Sequence, residues 1–495
     1  MNNWDSLLLY PLLTILIITL YAAFLVRRHL TTKKQWSFII QHFLFWLALS
    51  IILNLNYNFM LFTANINWKN IGILVAVSAS FYATIFFIPA SWITGLLNRR
   101  FWFWLSYFSI IIGIIVALSA PHQQVTFIIC ALLFGIAIAS NSIWYLCFNE
   151  VYLYRSNSFL TVSLLFPVVI IANLSGANLL NFVKSIAQNQ TLDYYLVFSL
   201  MLIFTVISFG LCFNLKEQKA YQGAFNVERL KLAKNFSWWK VGGILVILFF
   251  VGLIREFSQG DFYNLLLAQQ TWVAYHDLNL VKKYLHLTQE LWWIAQIMAG
   301  GLLYPMVVKK WGLRKAMMIA FSLWIVYFLL VSFTKVPELW LVGQLLNGFA
   351  FAIIFTIIFS LAIVWNYRIS RRPVTGCFSA LNAFTTFVAQ LIQRAISTTH
   401  RGLFNNINVD WNLPVVQDDS FNFSNFHLLV IIILMVCLAI TLLLMLFVFL
   451  TIKHLSGEYF SRENHDFDCR VLAGTIKSSE HIPGVTLSQW IRPDH

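Results

Sequence analysis

Residues 132–139 read Leu132-Leu133-Phe134-Gly135-Ile136-Ala137-Ile138-Ala139, and residues 345–352 read Leu345-Leu346-Asn347-Gly348-Phe349-Ala350-Phe351-Ala352. Both follow the pattern L-L-x-G-x-A-x-A, at a spacing of 213 positions. A Tyr-Arg pair follows each glycine at the same distance, as Tyr154-Arg155 and Tyr367-Arg368. Each stretch is apolar and ends in a short basic loop, which is typical of a membrane helix and its exit. The repeat therefore predicts a chain built from two similar groups of helices.

The composition is that of a membrane protein. Of the 495 residues, 60% are hydrophobic and 11% are charged, and the mean hydropathy is +0.75. A soluble chain of this length could not bury so much apolar surface. Windows of about 20 apolar residues predict an all-α polytopic protein with about thirteen spanning helices. The predicted spans lie near residues 7–26, 36–62, 71–97, 102–119, 125–148, 158–182, 193–214, 238–262, 287–308, 316–334, 338–365, 374–397 and 427–452.

The positions of lysine and arginine predict the orientation of these spans. If the spans alternate sides, the segments on one side hold 25 Lys and Arg residues and the opposite segments hold 6, while Arg255 and Arg394 remain within spans. This bias is the positive-inside pattern. We therefore expect a multi-pass plasma-membrane protein with its N-terminus outside and its C-terminus in the cytoplasm. The net charge of +14 then reflects topology and contact with the lipid bilayer, and no nucleic-acid partner is expected.

The chain divides at its most basic loop. Residues 1–35 are predicted to form an extra first helix and a basic linker, because the leader is uncharged or acidic, unlike that of a cleaved signal peptide. Residues 36–214 form a first six-helix half, 215–237 a cytoplasmic central loop, 238–452 a second six-helix half and 453–495 a cytoplasmic tail.

The loop after the eighth helix of the twelve-helix body contains a recognisable motif. Over residues 301–315 it reads G-L-L-Y-P-M-V-V-K-K-W-G-L-R-K. Its glycines Gly301 and Gly312 and its basic cluster, which includes Arg314, resemble the G-x-L-x-D-x-x-G-R/K loop motif of the major facilitator superfamily. Pro305 stands where that motif has its acid, and the spacing is longer.

The architecture resembles the same superfamily over residues 36–452, with two sets of six helices, both ends of the body cytoplasmic and a long basic loop between the sets. The divergent motifs, the many Asn, Ile and Phe residues and the extra first helix look like its mycoplasmal branch, which implies a bacterial protein. The resemblance implies a secondary transporter whose halves rock about a central site.

Arg255 is the strongest candidate for a binding residue. It lies roughly 22 Å along its helix from Lys240 at 1.5 Å per residue, and an ionised side chain at that depth is costly and by default functional. Residues 253–263 resemble a helix of glycerol-phosphate and hexose-phosphate antiporters, in which an arginine is followed one to two turns later by an aspartate, here Asp261. That resemblance implies that Arg255 binds a substrate phosphate. The alternative is a structural role, with Arg255 snorkelling outward or paired with Asp261 or Glu256.

Four neutral side chains complete the predicted binding site. Asn54 and Asn58 share one face of the first body helix, where those antiporters carry a second arginine. Amides at these positions favour a polar, sugar-like ligand as readily as a phosphate. Gln390 and Asn382 lie on the eleventh body helix. The alternative for Asn54, Asn58 and Asn382 is hydrogen bonding between helices.

Five further residues, at helix ends and in the motif loop, are predicted to act in gating. Arg155 and Arg368 follow the two repeat stretches, where an arginine can hydrogen-bond the terminal carbonyls of its helix. Gly301, Gly312 and Arg314 belong to the motif loop.

The sequence also bears on coupling and cofactors. Glu290 and Asp261 are the candidate carboxylates for coupling to H⁺, and exchange against phosphate is the other coupling considered. The six cysteines are scattered without a C-x-x-C pair, and His42 and His427 have no carboxylate or cysteine at ligand spacing. No metal site or cofactor is therefore expected. There is no Walker A sequence, so the chain is not expected to hydrolyse ATP.

These features predict a secondary active transporter of a small polar or anionic metabolite, with hexose phosphate favoured over amino acids and neutral solutes. A lipid or oligosaccharide flippase is the alternative, but it would need a larger and more basic cavity. An integral membrane enzyme would need clustered acids or histidines near one membrane face. Asp410, Asp418 and Asp419 are too loosely spaced for this, so no enzymatic activity is expected.

Overall fold

The computed structural model describes residues 3–27, 33–64, 75–96, 99–120, 123–151, 158–186, 190–213, 238–303, 312–368, 374–399 and 423–456. The predicted central loop 215–237 and the tail beyond residue 456 lie outside these ranges. The described residues form helices linked by short turns, which confirms the predicted all-α class. The helices are α1 (Asn3–Arg27), α2 (Lys33–Ala64), α3 (Ala79–Leu96), α4 (Arg99–Ser119), α5 (Gln124–Ile138), α6 (Asn141–Val151), α7 (Ser158–Ile186), α8 (Gln190–Cys212), α9 (Trp238–Gln259), α10 (Asp261–Tyr275), α11 (Leu278–Leu303), α12 (Gly312–Phe333), α13 (Pro337–Arg368), α14 (Val374–Thr399) and α15 (Phe423–Ser456).

The helices account for the predicted membrane spans. Within the described ranges, nine helical stretches are long and apolar enough to cross a membrane, and two shorter apolar helices lie at Leu12–Leu25 and Ala79–Thr94. Two of the nine stretches consist of paired helices: α5 and α6 meet at a turn, and α9 and α10 meet at Gly260. The protein is therefore a multi-pass membrane protein with helices at all thirteen predicted spans.

The structure is helical through most of residues 238–286. The hydropathy pattern predicted a span ending at 262, followed by a longer external segment from 263 to 286 that could extend a helix. In the structure, α10 extends the helical stretch to Tyr275, and α11 begins at Leu278. Polar side chains such as Gln270 lower the hydropathy of this region, but Gln270 is buried and its amide nitrogen donates to the carbonyl of Lys335 at 3.0 Å. A hydrogen bond to the turn between α12 and α13 therefore satisfies a buried polar side chain in this region.

The helices form two packed groups, α2 to α8 and α9 to α15, which meet where α3 packs on α14 and where α7 packs on α11 and α13. The extra helix α1 lies against α7, outside these contacts between groups. There the hydroxyl of Tyr21 donates to the carbonyl of Leu164 at 2.5 Å, and the amide of Asn178 donates to the hydroxyl of Thr14 at 2.6 Å.

The two copies of the L-L-x-G-x-A-x-A pattern occupy equivalent positions. A Cβ atom added to Gly135 of α5 would lie 3.1 Å from the carbonyl oxygen of Ala79, at the start of α3. A Cβ atom added to Gly348 of α13 would lie 2.5 Å from the carbonyl oxygen of Trp292 in α11. Ala79 and Trp292 are separated by the same 213 positions as the glycines. The lack of a side chain thus lets each repeat helix approach the backbone of a corresponding neighbour.

A second contact has the same spacing. The same added Cβ on Gly135 would lie 2.5 Å from the Cβ of Tyr82, and that on Gly348 would lie 2.8 Å from the Cβ of Ala295. Tyr82 and Ala295 are also 213 positions apart. The register of packing is therefore the same in the two groups of helices, as the sequence repeat predicted.

Candidate functional site

Arg255 lies near the end of α9, within the span that runs from Trp238 to Tyr275. Its side chain is 13% exposed, and that of the neighbouring Glu256 is 17% exposed. Both charges are thus largely removed from solvent. An unpaired ion in such a buried position would be strongly destabilising.

Glu256 neutralises Arg255, and two other helices complete the surroundings of the guanidinium. Nε donates to Oε1 of Glu256 at 2.9 Å, and Nη2 forms an ion pair with the same oxygen. Nη2 also donates to the hydroxyl of Thr386 at 2.6 Å, and Nη1 donates to Oδ1 of Asn382 at 3.4 Å. The ring of Phe351 lies beneath the guanidinium, with its centroid 5.2 Å from Cζ. Helices α9, α13 and α14 therefore hold one arginine in a fixed orientation.

Part of this arrangement follows from the sequence. Arg255 and Asn382 were both predicted site residues, and the structure brings them together across 127 positions. Glu256 was considered only as a structural partner of Arg255, whereas Thr386 and Phe351 were missed. The one signal for Thr386 is its spacing of four residues from both Asn382 and Gln390, which places all three on one face of α14. Gln390 is half-buried one turn beyond Thr386.

The break between α9 and α10 lies directly after Arg255 and Glu256. Gly260 adopts an extended conformation there, with φ −74° and ψ −168°. The break exposes carbonyl groups at the end of α9, and side chains from other helices bond them. The carbonyl of Ser258 accepts from the Tyr327 hydroxyl at 2.5 Å and from the Gln344 amide at 3.1 Å. The carbonyl of Glu256 accepts a long bond of 3.5 Å from the Gln393 amide. Broken helices stabilised in this way are typical of binding sites in membrane transporters.

A column of aromatic rings extends from Arg255 along α13. The rings of Phe351, Phe355 and Phe359 stack at successive turns, with centroids 5.5 and 5.6 Å apart. Trp292 of α11 stacks on Phe351 at 6.0 Å, and Tyr145 of α6 meets Phe359 edge-on at 4.8 Å. The column therefore connects the surroundings of Arg255 with a contact between the two groups of helices.

Several predicted residues cannot be placed in the site. Asn54 and Asn58 belong to α2 and Asp261 begins α10, but their side chains lie outside the described residues. Arg155 lies outside the described ranges altogether, and Arg368 ends α13 with its side chain likewise undescribed.

The residues of the motif loop, Gly301, Gly312 and Arg314, lie at or near the ends of α11 and α12. They are separated from Arg255 by more than 40 positions in the sequence. Gly301 belongs to the last turn of α11, and Gly312 begins α12 with a positive φ of 70°. The guanidinium of Arg314 stacks on the ring of Phe449 in α15, with Cζ 3.8 Å from the ring centroid. This contact joins two helices of the same group.

The structure also contains an open apolar groove of about 470 Å³ between α3, α9 and α14. Its lining includes Ile88, Val246, Phe249, Leu381 and Phe384, and it does not include Arg255. Among the described residues, no group of three or more His, Cys, Asp or Glu side chains is arranged to hold a metal ion.

No protein-family model matches the sequence, and no curated protein matches it either. Solved structures do resemble the fold. The human organic anion transporter MFSD10 (TETRAN) aligns with a TM-score of 0.57 and 14% identity, over 82% of this chain and 100% of its own. A bacterial homologue of the iron transporter ferroportin, in an outward-facing state, aligns with a TM-score of 0.58 and 13% identity, over 84% of this chain and 98% of its own.

The proton:xylose symporter XylE, a major facilitator superfamily (MFS) protein bound to 6-bromo-6-deoxy-D-glucose, aligns with a TM-score of 0.55 and 11% identity. The match covers 81% of this chain and 94% of that one. Identities this low show the fold alone. The chain therefore has the fold of the major facilitator superfamily transporters, as its helix count and its repeat predicted.

Proposed function

We propose that this chain is a secondary active transporter that moves a small anionic or polar metabolite across the plasma membrane by alternating access, with hexose phosphate as the favoured substrate. The observation that carries the proposal is the guanidinium of Arg255, which is 13% exposed inside the spanning bundle and held by Glu256, Asn382, Thr386 and Phe351. A charge kept at that depth is seldom retained without a role in transport.

The chemistry around Arg255 suits an oxyanion attached to a polar body. A guanidinium donates two parallel hydrogen bonds to one carboxylate or phosphate. Asn382, Thr386 and Gln390 follow each other at single turns of α14 and offer neutral polar groups beside it. The fold relatives named above, an organic anion transporter and a proton:xylose symporter, support a small solute as the cargo.

A neutral polar solute is the second candidate. Glu256 already neutralises Arg255, so the site as a whole carries no net charge from this pair. A sugar or nucleoside would then bind through hydrogen bonds to the amides and hydroxyls of α14.

Counterflow in proteoliposomes tests the proposal. Vesicles that contain the purified chain are loaded with phosphate, and uptake of labelled hexose 6-phosphate is followed for the wild type, Arg255→Gln and Arg100→Gln. Wild-type exchange should fall roughly ten- to a hundredfold in Arg255→Gln, which loses a charge-assisted hydrogen bond. Arg100→Gln is the matched control; it removes a guanidinium whose Cζ lies 5.3 Å from the ring centroid of Trp104, and it should retain exchange. If the wild type exchanges neutral solutes but no anion, the second candidate replaces the first.

A further inference from the structure

The open apolar groove lies where the two groups of helices meet, since α3 belongs to the first group and α9 and α14 belong to the second. At one end of the groove, the hydroxyl oxygens of Ser91 and Thr375 lie 3.3 Å apart. At the other end, the rings of Phe81 and Phe387 meet with their centroids 5.2 Å apart. The lining residues of α3 and α14 fall between these two contacts. A molecule in the groove therefore touches both groups of helices.

The lining of the groove requires no polar ligand. Of its ten lining residues, only Thr84 and Cys377 carry a heteroatom in the side chain. The Thr84 hydroxyl donates to the carbonyl of Ser80 at 2.9 Å, and a thiol is a weak hydrogen-bonding group. Ordered water needs two to four polar partners, which this lining does not supply. The groove is therefore suited to hydrocarbon.

The groove faces the hydrocarbon interior of the membrane. Helices α9 and α14 belong to stretches long and apolar enough to cross a membrane, and α3 is a shorter apolar helix. The lining side chains Ile88, Val246 and Phe384 are 43%, 50% and 40% exposed. Trp92 follows Ile88 by one turn of α3 and is 51% exposed, and tryptophan is enriched at the membrane–water interface. The groove thus lies in the leaflet next to that interface.

The direction and size of the groove match a single hydrocarbon chain. On α14 the lining residues run from Cys377 to Phe384, which is about 10 Å along the helix axis at 1.5 Å per residue. The hydrocarbon of one leaflet is about 15 Å thick, and its chains run in the same direction. A helix segment of about 10 Å, with a diameter of 10–12 Å, would occupy roughly 800–1,100 Å³. This is about twice the groove volume of about 470 Å³, so the groove is too small for a partner helix.

We propose that the groove binds one fatty acyl chain of a membrane phospholipid, and that this chain stabilises the contact between the two groups of helices. The proposal goes beyond transport and does not depend on the substrate. An empty groove would forfeit the van der Waals contacts of its lining, and acyl chains are the molecules that can supply them inside a membrane. The surrounding lipid is as apolar as the lining, so the preference for the groove arises from packing against its fixed walls, which include Phe249 and Phe384.

Photo-crosslinking tests the proposal with the full chain in phosphatidylcholine liposomes, in which a small fraction of the lipid carries a diazirine within one acyl chain. Labelled peptides are quantified by mass spectrometry for the wild type, Val246→Trp and Val436→Trp. Val246 lines the groove and is 50% exposed, whereas Val436 of α15 lies outside the groove and is 53% exposed. The two substitutions are therefore matched in residue type and exposure, but only the indole at position 246 should fill the groove.

The groove peptides of α9 and α14 should be labelled roughly two- to tenfold more than the exposed part of α15, the excess that about five to ten additional atom contacts provide. This excess should disappear in Val246→Trp and persist in Val436→Trp. Equal labelling of the groove and α15 in the wild type would overturn the proposal, even if Val246→Trp does not fold. An excess that persists in folded Val246→Trp would overturn it as well. Loss of the excess at a raised protein-to-lipid ratio would identify a second copy of the chain as the occupant instead.

Thermal unfolding in detergent tests the stabilisation separately. Added phosphatidylcholine should raise the unfolding temperature of the wild type and Val436→Trp, because a ligand that binds the folded state stabilises it. The rise should be smaller in Val246→Trp. Equal rises in all three proteins would show that the stabilising lipid binds elsewhere and would overturn this part of the proposal. Neither measurement uses transport, so failure of the proposed substrate leaves both results interpretable.

Discussion

Ser91 of α3 and Thr375 of α14 place their hydroxyl oxygens 3.3 Å apart, and this contact joins the two groups of helices. Beside it, a Cβ atom added to Gly376 would lie 2.7 Å from both the Cβ of Ser91 and the carbonyl oxygen of Phe87. The backbones of α3 and α14 thus touch near the end of one helix and the start of the other. Any movement that separates the two groups at this end must break this contact.

Cross-linking this contact should stop transport. In the double variant Ser91→Cys, Thr375→Cys, oxidation should form a disulfide that holds α3 to α14, since the native oxygens are already close. Uptake should be lost on oxidation and restored by a thiol reductant. The two single variants control for pairing with the natural Cys377. Undiminished uptake by fully cross-linked protein would show that this contact stays closed throughout the cycle.

The close approach at Gly348 predicts a stability difference between two glycine substitutions. Gly348→Ala should destabilise the protein by about 1–3 kcal/mol, because the added methyl group meets the backbone carbonyl of Trp292, which cannot rotate away. Gly242→Ala is the control, since no heavy atom lies within 4 Å of its added Cβ, and it should be neutral or stabilising by up to about 1 kcal/mol. Thermal unfolding in detergent measures both. Equal effects would contradict the helix contact.

Thr386 should affect substrate affinity more than stability. Its hydroxyl accepts from Arg255 at 2.6 Å and donates to Glu256 at 3.0 Å, so Thr386→Val, which keeps the shape, loses the orientation of both groups. We expect the apparent affinity for substrate to weaken roughly two- to tenfold, the equivalent of one hydrogen bond. Thr386→Ser keeps the hydroxyl and should stay near the wild type. Concentration-dependent uptake distinguishes the two, and equal affinities would exclude a role for the hydroxyl.

The helix break after Glu256 should depend on Tyr327. Its hydroxyl donates to the Ser258 carbonyl at 2.5 Å, whereas the hydroxyl of the nearby Tyr263 makes a longer contact of 3.4 Å with the Trp340 carbonyl. Tyr327→Phe should therefore destabilise the protein by about 1–2 kcal/mol, and Tyr263→Phe should cost less. Unfolding temperatures of the two variants measure the difference. A larger loss in Tyr263→Phe would show that the break does not need this bond.

Sequence reasoning reached the local properties of the chain. Apolar runs long enough to span a membrane, the asymmetric distribution of Lys and Arg and the glycine at the centre of each repeat are readable because each depends on a short stretch of chain. The depth of Arg255 follows from counting residues along one helix. The fold class, the helices at the predicted spans and the equivalence of Gly135 and Gly348 could therefore be predicted from the amino-acid sequence alone.

The surroundings of Arg255 required the tertiary structure. Thr386 lies 131 positions from Arg255, and which residues of α13 and α14 face α9 depends on how those helices are rotated and packed, which no local pattern specifies. The break at Gly260 was missed for a related reason: hydropathy averages over a window, whereas the break is stabilised by side chains from distant helices. The sequence alone thus determined that a charged residue, Arg255, lies within an apolar span. It could do so because the free energy of inserting a residue into the membrane depends on a short stretch of chain. Only the packed helices decided that Glu256 neutralises it and that Thr386 and Phe351 hold it, because those contacts arise from packing.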